Sequence, residues 1–413
     1  MNTKKNQKNK VLWVIGGGQL QIPLIYEAKK LGLATLVTDR NNNCVAKDFA
    51  DYFFPVDIFD IPGSLKLLFQ LRQDKINIVG VLAAGIDANI PASIIAKVAG
   101  LPGVLPQAAY LTHNKHVFRR FLDEHNLPAP KWAEVTTIQE LKKSLKRIGI
   151  PFIIKNIDNS ASRGMKKFFS LPTDQQLVTA LEDAKVNSST KTALVEELLY
   201  GKEQTVETLY DINGVFHPCF ITDREFDAKN EWAVETGLRH PTSLSPTIQK
   251  KLYQVTKKTA DILGITIGAA KVDMILTKNG PVILEMTTRL SGGFDCQYLV
   301  PTVTGKNLLK AAILTAIGEQ FSSELLVDKK KRIGVTGSLW PKPGKIISIS
   351  GIDKAKKISG VEYIFFRSEV GDTVLPYTDS AKRVCFIITS GRNESEARHT
   401  LSLALKTISI ITK

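Results

Sequence analysis

The chain has 413 residues and a formal net charge of +15; 43% of its residues are hydrophobic and 23% charged. That length allows two or three domains with a sizeable core, and the balance is that of a soluble globular chain. No apolar run approaches the roughly 18 residues of a membrane span, and the four cysteines are too scattered for a zinc site or a disulfide framework.

The lysines are dispersed, with local runs only at Lys4–Lys10 and 329–332 and no aromatic–basic motif, so the expected attraction is for anionic small molecules rather than nucleic acid. Residues 1–10 form a polar basic tail. The apolar run Val11–Ile15 behind it is too short for a signal-peptide core, and a cytoplasmic protein is expected.

Residues 11–105 alternate between strand and helix patterns. Strands are expected at Val11–Ile15, Ala34–Val37 and Ile78–Leu82. Helices are expected where Leu20, Leu24, Ala28 and Leu31 share a face, at Leu65–Leu71 and at Ile90–Val98. This is the pattern of a doubly wound parallel sheet. Gly16-Gly17-Gly18 and Asp39 offer part of a dinucleotide fingerprint, but Gln21 stands where its last glycine belongs. A tight turn that packs helix on sheet is the other reading. An NAD-type oxidoreductase built on this turn would leave the second half of the chain unexplained.

A Pro-Gly boundary at Leu101–Pro106 leads to a helix from Lys115, closed by a proline-bracketed turn. Then follow a strand at Lys131–Thr136, a helix at Gln139–Arg147, strands at Phe152–Lys155, Lys167–Leu171 and Thr192–Glu196, and a helix between the last two. Residues 201–300 read mostly as strands around one helix, Thr247–Leu263. A helix at Asn307–Ile317 precedes a C-terminal module from Ile333, whose last helix spans Ser395–Thr407.

The most informative stretch is Lys271–Gly293. Two alternating runs flank Lys278-Asn279-Gly280, which reads as a β-hairpin. With those three residues as the loop, Thr277 faces Pro281 and Asp273 faces Glu285. Directly opposed like charges weaken a sheet. A divalent cation with oxygen ligands would resolve the conflict, and Arg289 on the same face could reach a phosphoryl oxygen. A solvated charged face on a half-buried hairpin is the alternative for the two acids alone.

Taken in order, Lys115, Lys155, the loop after it, Glu196, Glu203, Asp273, Glu285 and Arg289 make the chain resemble the ATP-grasp ligases, over nearly its whole length. The resemblance implies an α/β ATP-grasp fold. Its N-terminal Rossmann-like domain would span residues 11–112, its ATP-grasp domain residues 113–325 with a lid subdomain at about 131–200, and its small α+β module residues 333–413. It also implies ATP and Mg2+ (or Mn2+) as cofactors and an acylphosphate made from a carboxylate and opened by an amine. Homodimers are common among such ligases.

By this match Lys115 and Lys155 reach the nucleotide phosphates, and Ser160, Ser162 and Gly164 belong to a loop that closes over them. Glu196 accepts from the adenine amine beside Glu197, Leu199 offers a backbone N–H and Glu203 binds the ribose. Asp273, Glu285 and Thr287 fall on the metal ligands, with Thr287 where the family has asparagine. Arg289, with Lys155, steadies the transferred phosphoryl group.

Two branches are similar. Val14–Leu20 looks like the start of carboxyaminoimidazole ribonucleotide synthetases. The hairpin, the Arg-Leu-Ser-Gly-Gly segment and the C-terminal module look more like L-amino-acid ligases. In that branch Glu235 would hold a substrate ammonium, with Arg289, Gly292 and Gly293 around the first acid. Leu238 stands where that branch has histidine, and Arg239 and His240 are either pocket residues or a strand-edge loop. The expected product is a dipeptide-type amide. An ATP-binding protein that has lost catalysis is the other outcome the Thr287 departure allows.

Overall fold

The computed structural model describes residues 10–157, 165–188, 190–227, 231–232 and 234–413. The first strand, β1 (Lys10–Ile15), is buried from Val11 to Ile15, as an apolar run inside a parallel sheet should be. It pairs in parallel with β2 (Ala34–Thr38) and β4 (Asn77–Ala83), and β3 (Tyr52–Phe54) adds an edge, in the order β3-β2-β1-β4. Helices Ile61–Gln73 and Asn89–Ala99 pack Leu67, Leu71 and Ile95 against Val11, Trp13 and Ile15. Helices Ile22–Lys30 and Leu308–Ala316 cover Leu12 and Val14 on the other side.

The glycine turn after β1 closes on itself. Gly17 N–H donates to Asp39 Oδ2 at 2.8 Å and Gly18 N–H to Gln21 Oε1 at 2.9 Å. A Cβ on Gly17 would lie 2.2 Å from Cys44 Sγ, so close packing is what requires glycine there. Asp39 is thus engaged by the turn, as the packing reading of this motif expects.

A second, antiparallel sheet holds β5 (Trp132–Val135), β6 (Phe152–Asn156), β7 (Lys166–Phe168) and β8 (Ala193–Glu197) in the order β5-β8-β6-β7. Helices Ile138–Ile148 and Asp174–Val186 cover one face, each started by a capping box, Thr137 with Glu140 and Thr173 with Gln176.

The largest sheet has eight strands. Its first five, in spatial order, are β13 (Gly280–Thr287), β12 (Gly268–Thr277), β9 (Lys202–Tyr210), β10 (Phe216–Phe226) and β11 (Glu235–His240). It then runs on into the C-terminal segment through β14 (Ile333–Gly337), β18 (Cys385–Gly391) and β16 (Val361–Phe366). A Cβ on Gly237 would sit 2.4 Å from the Thr336 carbonyl, so glycine lets the two halves of this sheet meet. A small sheet of β17 (Thr373–Val374), β15 (Gly344–Ser350) and β19 (Ser409–Thr412) lies beyond.

The β12–β13 hairpin reaches the expected pairing by an unexpected route. Its turn is Lys278-Asn279, so Thr277 pairs with Gly280 rather than Pro281. A β-bulge at Leu284 then shifts the register by one and returns Asp273 to its place opposite Glu285. The bulged Leu284 carbonyl accepts from Arg119 Nη2 at 2.6 Å.

Candidate active site

A cavity of about 460 Å³ opens between β6 and β8 of the antiparallel sheet and β9, β10, β12 and β13 of the large one. The turn at Gly85–Asp87, the loop Ser291–Gly293 and three C-terminal side chains, Arg367, Ser380 and Arg383, complete its walls. A neighbouring cavity of about 570 Å³ shares Leu198, Leu199, Glu203 and Arg224 with it.

One wall is a buried ion triad. Glu196 pairs with Ile153 of β6 and Trp132 of β5 in register, which turns its carboxylate toward Lys155. Lys155 Nζ lies 2.6 Å from Glu196 Oε2, and Arg119 Nε lies 2.6 Å from Glu196 Oε1. Burial alone would push the Glu196 carboxyl up, but Arg119 and Lys155 outweigh it and hold the group below its ordinary value. Burial brings Lys155 down to about 8 even though Glu196 opposes the change. Lys115 Nζ donates to Asn156 Oδ1 at 3.3 Å, and its backbone N–H to the Ile157 carbonyl.

The opposite wall carries the acids. Asp273 Oδ1 accepts from Thr205 Oγ1 at 2.7 Å, while its Oδ2 meets Lys271 at 2.6 Å and Arg224 at 2.9 Å. Burial would raise this carboxyl, yet Arg224 and Lys271 hold it at about 2. Arg224 also reaches Glu235 at 2.9 Å and Glu203 at 3.7 Å, so one guanidinium serves three acids. Burial nonetheless leaves Glu203 raised. Glu285 faces the cavity and has no ion-pair partner among the described residues.

Arg289 Nη2 donates to Asp87 Oδ1 at 2.7 Å, and Nη1 donates to the Leu290 carbonyl. The loop that follows rests on the first domain: Gly85 N–H donates to the Leu290 carbonyl, and a Cβ on Gly292 would be 3.4 Å from Gly85 Cα. Behind it, Ser291 N–H donates to Glu207 Oε2 at 3.0 Å. Burial pushes Glu207 up to about 7.

Lys115, Lys155, Glu196, Glu197, Leu199, Glu203, Glu235, Asp273, Glu285, Arg289, Gly292 and Gly293 all line the one cavity. Ser160, Ser162 and Gly164 lie outside the described residues. Three expectations change. Glu196 is expected to meet adenine with its side chain, but both its oxygens are held by Lys155 and Arg119. Glu235 is expected to hold an ammonium, but its oxygens meet Arg224 and Arg383, each at 2.9 Å. Thr287 is buried opposite Lys271 and does not line the cavity.

Arg239 and His240 also fall elsewhere. Arg239 Nε donates to Glu394 at 2.7 Å. His240 is buried against Thr222 and the Ile221 carbonyl, and burial depresses it to about 3.

The donor set is consistent with a magnesium ion bound beside phosphates. Asp273 and Glu285 share one sheet face; among the described residues Glu285 has no cation partner, whereas Asp273 is already held by Thr205, Lys271 and Arg224. A hard divalent cation commonly takes one or two carboxylates and fills its remaining positions from phosphate oxygens and water. Among the described residues no group of three or more His, Cys, Asp and Glu is arranged for a metal. The sequence did not point to Arg119, Arg224, Asp87 or Glu207. Only Glu207 left a usable signal, since it continues the alternation of Glu203 and Thr205 on one face of β9.

Residues 148–297 match the family model of the ATP-grasp domain, and residues 338–413 match that of the L-amino acid ligase C-terminal domain 2. The crystal structure of L-amino acid ligase from Bacillus licheniformis superposes with a TM-score of 0.81 at 21% identity, covering 98% of this chain and 99% of that one. N5-carboxyaminoimidazole ribonucleotide synthetase from Thermotoga maritima superposes at 0.72 with 17% identity, covering 98% and 100%. At these identities the likeness is one of fold.

A formate-dependent phosphoribosylglycinamide formyltransferase of Sulfolobus acidocaldarius is 24% identical over 434 aligned positions, 96% of this chain and 95% of that protein. The chain spans about a third of the length of the bacterial carbamoyl phosphate synthase large chains it also matches.

Proposed function

Because this chain belongs to the ATP-grasp ligases, we propose that it activates a carboxylate as an acylphosphate with MgATP and joins it to an amino acid through an amide bond. The observation that carries this reading is the convergence, in one cavity, of Lys115 and Lys155 on one wall with Asp273, Glu285 and Arg289 on the other. Phosphoryl transfer asks a protein mainly for position and charge neutralisation. The match of residues 338–413 to an L-amino acid ligase domain favours amino acids as substrates.

In this reading the adenosine lies along Leu198–Leu199 and Glu203, where the two cavities join. Lys155, held at a fixed angle by the buried Glu196, carries its ammonium toward the phosphates, and Lys115 approaches from the neighbouring helix. Asp273 and Glu285 would hold the magnesium ion, which when bound neutralises phosphate charge. Arg289, anchored by Asp87, points its guanidinium at the region where the acid and the transferred phosphoryl group meet. The Gly292–Gly293 backbone allows close approach of a carboxylate.

The test is ADP release from MgATP against a matrix of amino acids and small carboxylates paired with amines. ADP formation should require both partners, and Glu285→Gln, which keeps shape but removes the anionic ligand, should lower it by about 100-fold or more. ADP release that Glu285→Gln leaves intact would remove this site from the reaction.

A further inference from the structure

The loop Ser291–Gly293 is held from behind by side chains that do not line the cavity. Glu207 Oε2 accepts from Ser291 N–H at 3.0 Å. At the other end of the same residue, the Ser291 carbonyl accepts from Gln297 Nε2 at 2.7 Å and from Cys296 Sγ at 3.4 Å. One residue thus has both its main-chain groups taken by side chains. Glu207, Ser291 and Gln297 are all buried, and of the three only Ser291 reaches the cavity wall.

Each holder is itself fixed. Glu207 lies in β9, which is hydrogen-bonded to β10 on one side and β12 on the other. Gln297 lies in a wide helical turn, Asp295–Leu299, in which Leu299 N–H donates to the Phe294 carbonyl five residues back at 2.9 Å. Wide turns of this kind recur at functional sites. The Gln297 amide also rests on the first domain, since a Cβ on Gly85 would come within 3.2 Å of its Nε2.

Packing alone does not call for an acid inside β9. Glu207 Oε1 has no hydrogen-bond partner among the described residues. The two cations whose charge it feels, Lys271 and Arg289, are paired with Asp273 and Asp87. A buried polar atom without a partner costs free energy, and an apolar side chain of similar volume would fill the space without that cost. What the acid adds is an acceptor aimed at Ser291. The two glycines that follow have wide backbone freedom, so a turn built on them keeps its place only if its start is held.

We propose that Glu207 and Gln297 are positioning residues that clamp Ser291 at both main-chain groups, so that the Gly292–Gly293 turn meets the substrate carboxylate and its acylphosphate at a set distance. The inference rests on the ligase reading and adds to it the residues that set the loop. Neither side chain touches substrate; both act through Ser291. A displacement of about 1 Å in such a loop can cost about 100-fold in rate while the reacting groups stay intact.

The test uses the full chain with MgATP and the acid–amine pair that the ADP-release matrix identifies. Kinetic constants for each substrate are measured in Glu207→Met, Gln297→Met, the double variant and Glu207→Gln. Each methionine variant should lower kcat/KM for the acid about tenfold or more, while the KM of MgATP stays at the wild-type value. Glu207→Gln keeps an acceptor for Ser291 N–H and should retain most of the wild-type kcat/KM. Because both side chains hold one residue, the double variant should lose much less than the product of the two single losses. Unchanged kcat/KM in both single variants overturns the clamp. Losses that multiply in the double variant overturn it too, as does a rise in the KM of MgATP as large as the loss for the acid, since each marks a general structural role. Should Glu207→Met fail to fold, Gln297→Met and Glu207→Gln decide the matter by the same readouts. Absence of ADP from the wild-type protein with every pair overturns the ligase reading, and the clamp with it, and so is told apart from failure of the clamp alone.

Discussion

The two walls of the cavity treat charge in opposite ways. On the antiparallel-sheet wall, Lys155, Glu196 and Arg119 are 6%, 2% and 0% exposed and satisfy one another. On the large-sheet wall, Glu285 is partly open to the cavity and has no protein cation among the described residues. The first arrangement sets geometry, because three buried charges at 2.6 Å have little freedom to move. The second leaves charge available to a ligand. Damage to the first wall should therefore appear as lost stability, and damage to the second as lost function.

The strongest way to break this contrast is Arg119→Met. It leaves Glu196 with Lys155 as its one cation and removes the donor to the bulged Leu284 carbonyl. Removing one partner of a buried ion pair costs about 3–5 kcal/mol, and urea unfolding should show a loss of that size. A loss below about 1 kcal/mol would mean the triad holds little of the wall together.

Next comes Glu207, behind the large-sheet wall. Its carboxyl is raised from 4.5 to about 7 by burial, so the folded state binds its proton more tightly than the unfolded chain. The stability this contributes is present below about pH 4.5 and is lost as pH rises through about 7. Its full size is roughly 3 kcal/mol. Glu207→Gln keeps an acceptor for Ser291 N–H but cannot ionise. Its Tm should therefore gain on the wild-type value steadily from pH 5 to pH 8. Parallel Tm curves would show that Glu207 is charged in the fold.

How much of this was legible follows from the range of each interaction. The Asp273–Glu285 pairing could be read from alternation within one hairpin. Even there the two-residue turn and the bulge at Leu284 were invisible and cancelled each other, so the pairing came out right from a wrong turn. Arg119 was hidden because a helix pattern places it only on a face, while its partner Glu196 lies 77 residues on, in a strand of another sheet. Asp87 reaches Arg289 across 202 residues, and no local pattern encodes that. Glu235 lines the cavity, but its partner Arg383 comes from the far end of the chain, beyond the reach of any local pattern.

Arg224 sharpens the contrast from the functional side. It is the cation that does most to hold down Asp273 and Glu235 against their burial. Arg224→Gln should let both carboxyls rise. In the ligase reading Asp273 must be ionised to hold the metal, so the acid limb of the pH profile of kcat/KM should move to higher pH. A displacement of about one unit is expected, seen well below pH 5 because Asp273 starts from about 2, with no change at pH 8. An unmoved acid limb would mean that neither acid governs turnover.

The smallest effect belongs to Arg239, the arginine that the sequence offered for the substrate. Arg239 follows the glutamate–threonine–glycine segment and was a candidate pocket cation, yet it meets Glu394 of the last helix at 2.7 Å, with Asp223 at 3.6 Å. Glu394 is 39% exposed, so solvent screens the pair and its loss should cost about 1 kcal/mol or less. Arg239→Met keeps the packing of the stem and removes the charge. It should leave the KM of both substrates unchanged and lower Tm only slightly. If Arg239→Met raises a substrate KM instead, the substrate extends into the second cavity, which Arg239 lines, and the division between a structural and a functional wall fails at that point.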